Sequence, residues 1–158
     1  MYTYNLGQAF HNICRQYGNK TAIIFDGKDQ ITFQELDILS NKAANFLISM
    51  GIKKMDVVAI QNKKSPIGFA MMVACLKLGV IYTNFDYTNP AERIRKIFHT
   101  AAPRLVFADE QNTAIENLCK ELHIRYFPVN ANGVLIDSEG DCLDQQLMNA
   151  VSGMNPAY

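Results

Sequence analysis

The sequence lacks the short motifs that most often reveal an enzyme's site. Its nine glycines are dispersed, so it contains neither the G-x-G-x-x-G turn of dinucleotide-binding proteins nor the G-x-x-x-x-G-K-[ST] phosphate loop. A G-x-S-x-G elbow is also missing, which leaves a serine hydrolase unsupported. No two cysteines stand at C-x-x-C spacing, so the sequence predicts no metal site.

Excess charge of one sign and long apolar runs are absent as well. Lys plus Arg and Asp plus Glu both number 15, whereas dedicated nucleic-acid binders carry a basic excess. Nucleic acid is therefore not an expected partner. The most apolar stretch, from Ile67 to Tyr82, is interrupted by Lys77 and is too short to span a bilayer, so no membrane partner is expected. The N-terminal residues do not have the pattern of a signal peptide.

The cysteine content fits a reducing compartment. The four cysteines are Cys14, Cys75, Cys119 and Cys142. Cys75 and Cys119 fall inside helical apolar patterns, where a free thiol packs as a small buried hydrophobe. Reduced thiols are typical of cytoplasmic proteins, so the expected localisation is cytoplasmic.

Segments with strand and helix periodicity alternate along the 158 residues, which suit one domain. Strands are predicted at 21–25, 30–32, 56–60, 80–84, 104–107, 124–127 and 134–136. Helices are predicted at 5–17, 33–50, 66–78 and 113–122, with a further one between Pro90 and Pro103. Strands that alternate with helices of ten or more residues form crossover units. The predicted fold is therefore a three-layer α/β domain with a mostly parallel sheet flanked by helices. An Asp26-Gly27 turn would join the first two strands as a hairpin, and residues 138–158 are predicted to be a loop with one short helix.

Two helix starts are well marked. Thr32 and Glu35 form a capping box, in which each side chain can bond the backbone N–H of the other. Ser65-Pro66 places proline in a first turn, where its missing N–H costs nothing. The helix that follows is apolar almost all round, so it is predicted to be the most buried helix, with Met72 inside. Gly79 is expected to let the chain turn from this helix into the next strand.

The isolated polar residues favour structural roles. His11, His99 and His123 fall on the polar side or at the end of predicted helices, so each is interpreted as solvated. Asp86 follows a predicted strand, at the edge where ligands bind in open α/β sheets. A loop-capping aspartate is the favoured interpretation of Asp86, and lining a site is the alternative.

Several segments, in order, resemble the core motifs of the adenylate-forming (AMP-binding) enzymes. Residues 31–36, ITFQEL, resemble the first motif, [LIV]-[TS]-[YF]-x-E-L, and residues 76–86, LKLGVIYTNFD, resemble the second, L-K-x-G-x-x-Y-x-P-x-D. Asn84 stands where the family commonly has proline. The stretches 51–52, 56–60 and 89–94 are similar to further family segments, and the closing PAY resembles the start of the third core motif.

This resemblance implies an ATP-dependent ligase that activates a carboxylic acid as an acyl-adenylate. It implies ATP and Mg as cofactors of the full-length enzyme, and a carrier-protein phosphopantetheine or coenzyme A as the thiol partner. In the family, the phosphate loop, the ribose-binding acid and the catalytic lysine come after the start of the third motif. Residues 1–158 are therefore expected to be the N-terminal part of an adenylation domain, ending just before the phosphate loop. We expect no catalytic, cofactor-binding or metal-binding residue within them, no activity alone, and a tendency to self-associate.

Three functional hypotheses remain open at this point. The sequence is most like the amino-acid adenylation domains of nonribosomal peptide synthetases, which predicts an amino acid as the activated acid. The second hypothesis is the same part of an acyl- or aryl-CoA ligase. The third is a self-contained, non-catalytic α/β binding module in which the motifs serve only the fold.

Overall fold

The computed structural model describes residues 5–25, 29–129 and 143–151. Its helices are α1 (Leu6–Tyr17), α2 (Phe33–Ser49), α3 (Pro66–Leu78), α4 (Ala91–Ala101), α5 (Thr113–Glu121) and α6 (Gln145–Asn149). Its strands are β1 (Thr21–Phe25), β2 (Asp29–Thr32), β3 (Val57–Gln61), β4 (Ile81–Phe85), β5 (Leu105–Ala108) and β6 (Arg125–Pro128). The predicted helices and strands that fall on described residues are present, with bounds shifted by one or two residues.

Strands β3 to β6 form one parallel sheet in the order β4-β3-β5-β6. The register sets Val58 of β3 beside Tyr82 of β4 and Leu105 of β5. Parallel neighbours require crossover connections, which α3, α4 and α5 provide. The strand predicted at 56–60 starts one residue later than expected, because the Asp56 carboxylate accepts a 2.8 Å hydrogen bond from the Lys53 N–H and ends the preceding turn.

Side chains alternate along the central strand β3 and divide the interior into two cores. Val58 and Ile60 pack with α2 and α3, whereas Ala59 packs with α4 and α5. Helices therefore cover both faces of the sheet, and the predicted three-layer α/β fold is confirmed.

The hairpin of β1 and β2 forms a separate two-stranded antiparallel sheet, with Phe25 opposite Asp29. The predicted Asp26-Gly27 turn lies outside the described residues, as do the predicted strand at 134–136 and the closing PAY. Within the polar stretch 138–158, α6 is the short helix that the sequence predicted.

Helix α2 begins with the predicted capping box. The Glu35 N–H donates to Thr32 Oγ1 at 3.2 Å, and the Thr32 N–H donates to the Glu35 carboxylate at 2.8 Å. The Thr32 hydroxyl donates to the same carboxylate at 2.8 Å. These bonds lower the pKa of Glu35 from its ordinary value, with the backbone bond from Thr32 as the largest cause. The first turn of α2 is thus satisfied by its own residues.

Helix α3 is the most buried helix of the described residues, as predicted, with 8 of its 13 residues buried. Ser65 caps it through a 3.2 Å bond from the Gly68 N–H. Gly79 ends it at φ +65°, a conformation that disfavours any side chain. One detail of the prediction is wrong: Met72 is only partly buried, and its neighbour Met71 is the fully buried methionine, at 0% exposure. The side-chain amides of Asn62 and Asn84 contact the sulfur of Met72 at the carboxyl edge of the sheet.

No helix in the described ranges combines the length and the apolar content that crossing a bilayer requires.

Candidate functional site

The sheet reverses its winding direction between β3 and β5. From β3 the chain crosses over to β4 on one side, and from β5 it crosses over to β6 on the other. Ligands of open α/β sheets bind at the carboxyl ends of the strands, at such a reversal point. We call the loops that follow β3, β4 and β5 the switch-point edge, and it is the candidate site of the described residues.

One carboxylate joins the three loops of the switch-point edge. Asp109, directly after β5, accepts hydrogen bonds at Oδ2 from the Lys63 N–H at 2.8 Å and from Ser65 Oγ at 2.5 Å. Its Oδ1 accepts from the Tyr87 hydroxyl at 2.8 Å. Lys63 and Ser65 lie in the loop after β3, and Tyr87 lies in the loop after β4. All three donors and the carboxylate belong to this edge.

A cation lies over the tyrosine of this cluster. The Lys63 ammonium is 4.6 Å from the centroid of the Tyr87 ring and is ion-paired with Glu110. Burial raises the pKa of Tyr87, and its hydrogen bond to Asp109 raises it further. Tyr87 therefore stays protonated across the physiological range and acts as a hydrogen-bond donor.

The loop after β3 is held in a specific conformation. Lys64 adopts φ +63°, which is uncommon for a residue with a side chain. The side-chain oxygen Oδ1 of Asn62 accepts a hydrogen bond from the Ser65 N–H at 3.1 Å. A Cβ at Gly68 would collide with the Asn62 amide, so glycine in the first turn of α3 makes room for this loop.

Two amides at this edge share one sulfur. The side chains of Asn62 and Asn84 approach Met72 Sδ at 4.0 and 3.6 Å. Asn84, which departs from the family's proline, therefore makes a side-chain contact that a proline could not make. The departure leaves β4 intact, because Asn84 pairs with Ile60 of β3 in the parallel ladder.

Gln61 ends β3 at 0% exposure, and within the described ranges neither of its amide atoms has a hydrogen-bond partner. Its position in the alternation turns its side chain to the α4/α5 side, the side of Ala59. A buried amide without partners is uncommon and costly, and this one lies at the winding reversal.

Asp86 has the loop-capping role that the sequence favoured. Its carboxylate accepts from the Thr88 N–H and the Thr88 hydroxyl, both at 2.9 Å. These bonds, the backbone one first, lower the pKa of Asp86. The residue is exposed and its Oδ1 is engaged by its own turn.

The histidine interpretation is correct for two residues and wrong for the third. His99 and His123 are exposed. His11 is partly buried on α1, with Nδ1 3.5 Å from Asp37 Oδ2. It was missed because α2 supplies the facing carboxylate, and the contact between the two helices is not visible in the pattern of either one.

Lys77 is another polar residue whose environment the sequence did not predict. It is 0% exposed on α3. Its ammonium donates to Asp37 Oδ1 at 2.7 Å, to Ser40 Oγ at 2.7 Å and to Asn41 Oδ1 at 2.6 Å. Burial lowers the pKa of Lys77, and the bond and charge of Asp37 oppose that shift. The sequence contained one indication of this network: Lys77 is a charged residue in the otherwise apolar helix α3, and a buried ammonium needs hydrogen-bond acceptors.

Two surface cavities lie elsewhere. The larger, about 550 Å³, lies where α1 ends and α2 begins and includes Arg15, Lys20 and Asp37 in its lining. The smaller, about 370 Å³, lies beside the hairpin and α2. Neither shares a residue with the Asp109 cluster. The described stretches also contain no group of three or more His, Cys, Asp or Glu side chains that could hold a metal ion.

The parallel sheet, its winding reversal and the capped helices define an open α/β domain of the kind that binds ligands at its carboxyl edge. Residues 10–152 match the family model described as AMP-binding enzyme. The chain belongs to that family.

Its relatives include nonribosomal peptide synthetases and acyl-CoA synthetases. It is 30% identical over 112 residues to nonribosomal peptide synthetase sidE of Aspergillus fumigatus, covering 71% of this chain and 5% of that protein. It is 35% identical over 99 residues to acetyl-coenzyme A synthetase of Cronobacter sakazakii, covering 59% and 15%. The chain spans between 1% and 16% of the length of the curated relatives it matches.

Solved structures show the same fold. The N-terminal subdomain of Klebsiella oxytoca NpsA superposes with a TM-score of 0.64 at 26% identity, over 68% of this chain and 28% of that one. VinN in complex with L-aspartate superposes with a TM-score of 0.72 at 18% identity, over 97% and 40%. The latter likeness concerns the fold alone. Together these matches identify the chain as part of an AMP-binding domain of the adenylate-forming ligase family, similar to nonribosomal peptide synthetase adenylation domains.

Proposed function

We propose that the chain is the N-terminal part of an ATP-dependent ligase that activates an amino acid as an acyl-adenylate for transfer to a carrier-protein thiol. The observation that carries this proposal is the family match over residues 10–152. The choice of an amino acid rests on the nonribosomal peptide synthetases among the relatives. The carrier partner is supported by a fold neighbour described as an artificially fused Adenylation-PCP di-domain from Klebsiella oxytoca.

The described residues do not fit Mg and ATP by themselves. They contain no group of carboxylates and histidines that could hold a metal, and the sequence has no phosphate loop. We therefore assign them no role in holding the nucleotide. In this proposal they form the scaffold beside the site, and the residues that bind ATP and the acid lie outside 1–158. We accordingly propose no catalytic or cofactor-binding residue within the chain.

An acyl-CoA ligase is the second candidate. Two acetyl-coenzyme A synthetases, from Cronobacter sakazakii and Cupriavidus metallidurans, are 35% and 33% identical to the chain over 99 and 108 residues. These identities are as high as those to the peptide synthetases. Coenzyme A would then be the thiol acceptor in place of a carrier protein.

Acid-dependent exchange of pyrophosphate into ATP by the full-length gene product tests the proposal. The acids to supply are the twenty amino acids, acetate with longer fatty acids, and benzoates. We expect exchange with one amino acid or a few similar ones. Exchange with acetate or benzoate alone would favour the coenzyme A ligase. No exchange with any acid would contradict both ligase proposals and favour the non-catalytic module.

Residues 1–158 expressed alone are the matched control. We expect no exchange from them, because in this proposal the groups that meet the charge of the transition state lie outside residues 1–158. The opposite result would be exchange clearly above background that is abolished by a point substitution within 1–158. It would overturn the proposal that these residues include no catalytic group.

A further inference from the structure

We propose that Asp109 is a positioning residue, which holds the three loops of the switch-point edge in the arrangement that the acid-activating site requires. This inference rests on the proposed function. Asp109 lies outside the sequence motifs, and the proposed function assigns no catalytic role to it or to the residues that it contacts.

The contacts of Asp109 run between loops that are distant in sequence. Its carboxylate binds Lys63, Ser65 and Tyr87, which are 46, 44 and 22 residues away. Its own N–H donates to the Gln61 carbonyl at 3.1 Å, so its backbone is fixed to the end of β3. One side chain therefore fixes the β3 and β4 loops relative to β5. Three donors on one carboxylate leave it little freedom to turn.

Helix capping does not account for these contacts. Helix α3 has its own cap, because Ser65 Oγ accepts from the Gly68 N–H. Helix α5 is capped by Asn112, which accepts from the Ala114 and Ile115 N–H groups at 3.1 and 3.3 Å. Asp109 therefore caps neither helix directly. What it adds is the relative placement of the loops.

Two further features of the same edge point to a functional constraint. Lys64 is held at φ +63°, and conformations of this kind persist only where the surroundings impose them, often at functional sites. The Lys63 backbone that precedes it is fixed by Asp109 Oδ2. The edge is also the place where open α/β sheets bind their ligands. The cluster therefore lies where a ligand of this fold would bind, which is where a residue that positions loops would act.

Asp109→Asn in the full-length protein is the test variant. It preserves the shape of the side chain but turns one acceptor into a donor, which then faces donors from Lys63 and Ser65 or from Tyr87. We expect kcat/KM for the activated acid to fall between about ten- and a hundredfold, since small misplacements of a site cost that much. Hydrogen exchange should accelerate at the amides of residues 62–65 and 86–88.

Thr32→Ala is the matched control, because it removes a helix cap that belongs to no part of the edge. It should lower Tm while leaving kcat and KM unchanged. Tyr87→Phe removes one Asp109 contact and should lower kcat/KM less than Asp109→Asn. The double variant should be no worse than Asp109→Asn alone, because both act through one cluster.

The outcomes separate this inference from the proposed function. Suppose that the wild-type protein exchanges pyrophosphate and that Asp109→Asn, like Thr32→Ala, lowers Tm but keeps kcat and KM. That result would overturn the positioning role and leave the ligase proposal standing. Wild-type protein that is inactive with every acid would overturn the ligase proposal and the positioning role with it.

Discussion

The side of the sheet that carries α2 and α3 has the larger core, and it also contains the buried lysine. The side that carries α4 and α5 has the smaller core, and it contains the buried Gln61 amide. Lys77 and Gln61 are both 0% exposed. The lysine has four acceptor atoms within 3.4 Å, whereas the amide has no partner among the described residues. The extent of burial therefore does not predict how many hydrogen bonds a polar group makes. The polar side chains on the helix that faces it do.

Lys77 is satisfied because α2 presents a matching surface. Asp37, Ser40 and Asn41 are three and four residues apart, which places them on one face of α2. Phe10 of α1 lies under the ammonium at 5.8 Å. The network thus joins α1, α2 and α3, whereas the Gln61 amide has no hydrogen-bond partner among the described residues. The contrast is testable by substitutions on each side.

The largest effect is expected in the apolar part of the α2/α3 side. Met71→Asp places an unpaired charge where exposure is 0%, which costs several kcal/mol, a large part of the stability of a typical domain. We expect no soluble, cooperatively folding protein. Met72→Asp is the matched neighbour, since its side chain is only partly buried, and it should remain soluble. The soluble yield of both variants tests the assignment, and two soluble variants with equal circular dichroism melts would contradict it.

The lysine network should show the next largest effect. Asp37→Ala leaves Lys77 buried without its carboxylate, and removing one partner of a buried pair costs about 3 kcal/mol or more. Lys77→Met should cost less, because the remaining Asp37 side chain is 16% exposed and can be hydrated. Urea denaturation of the two variants gives both values. If both variants lost the same free energy of unfolding, the lost Asp37–Lys77 ion pair would determine the effect, and not the lysine left buried without its carboxylate.

Gln61→Met should change stability in the opposite direction. Both amide atoms are buried and have no partner among the described residues, and each such group costs about 1–3 kcal/mol. Methionine of similar length removes that cost, so the urea midpoint should rise. As a control, Gln111→Met alters an exposed glutamine and should have little effect. A lower midpoint for Gln61→Met would show that the amide has a partner, such as a buried water.

The sequence predicted what depends on local pattern and missed what depends on facing elements. The capping box of Thr32 and Glu35 and the Pro66 start of α3 are local, and both are confirmed. Lys77 was visible as a charge in an apolar helix, but its partner Asp37 lies 40 residues away on α2. Asp109 was missed because its donors come from two other loops. Polar residues that directly follow each strand were the signal that could have indicated it.

The smallest effect concerns the start of α2 and depends on pH. Thr32→Ala should cost about 0.5–2 kcal/mol, because it removes the hydroxyl that accepts from the Glu35 N–H. In the folded chain the pKa of Glu35 lies below its ordinary value of 4.5. The contribution of the Glu35 carboxylate is therefore fully present above pH 4.5 and is lost as the pH falls through the folded pKa. The stability difference between wild type and Glu35→Gln should shrink on acidification below pH 4.5, measured by urea denaturation between pH 7 and 3. A difference that stays constant over this range would show that the Glu35 charge does not stabilise the first turn of α2.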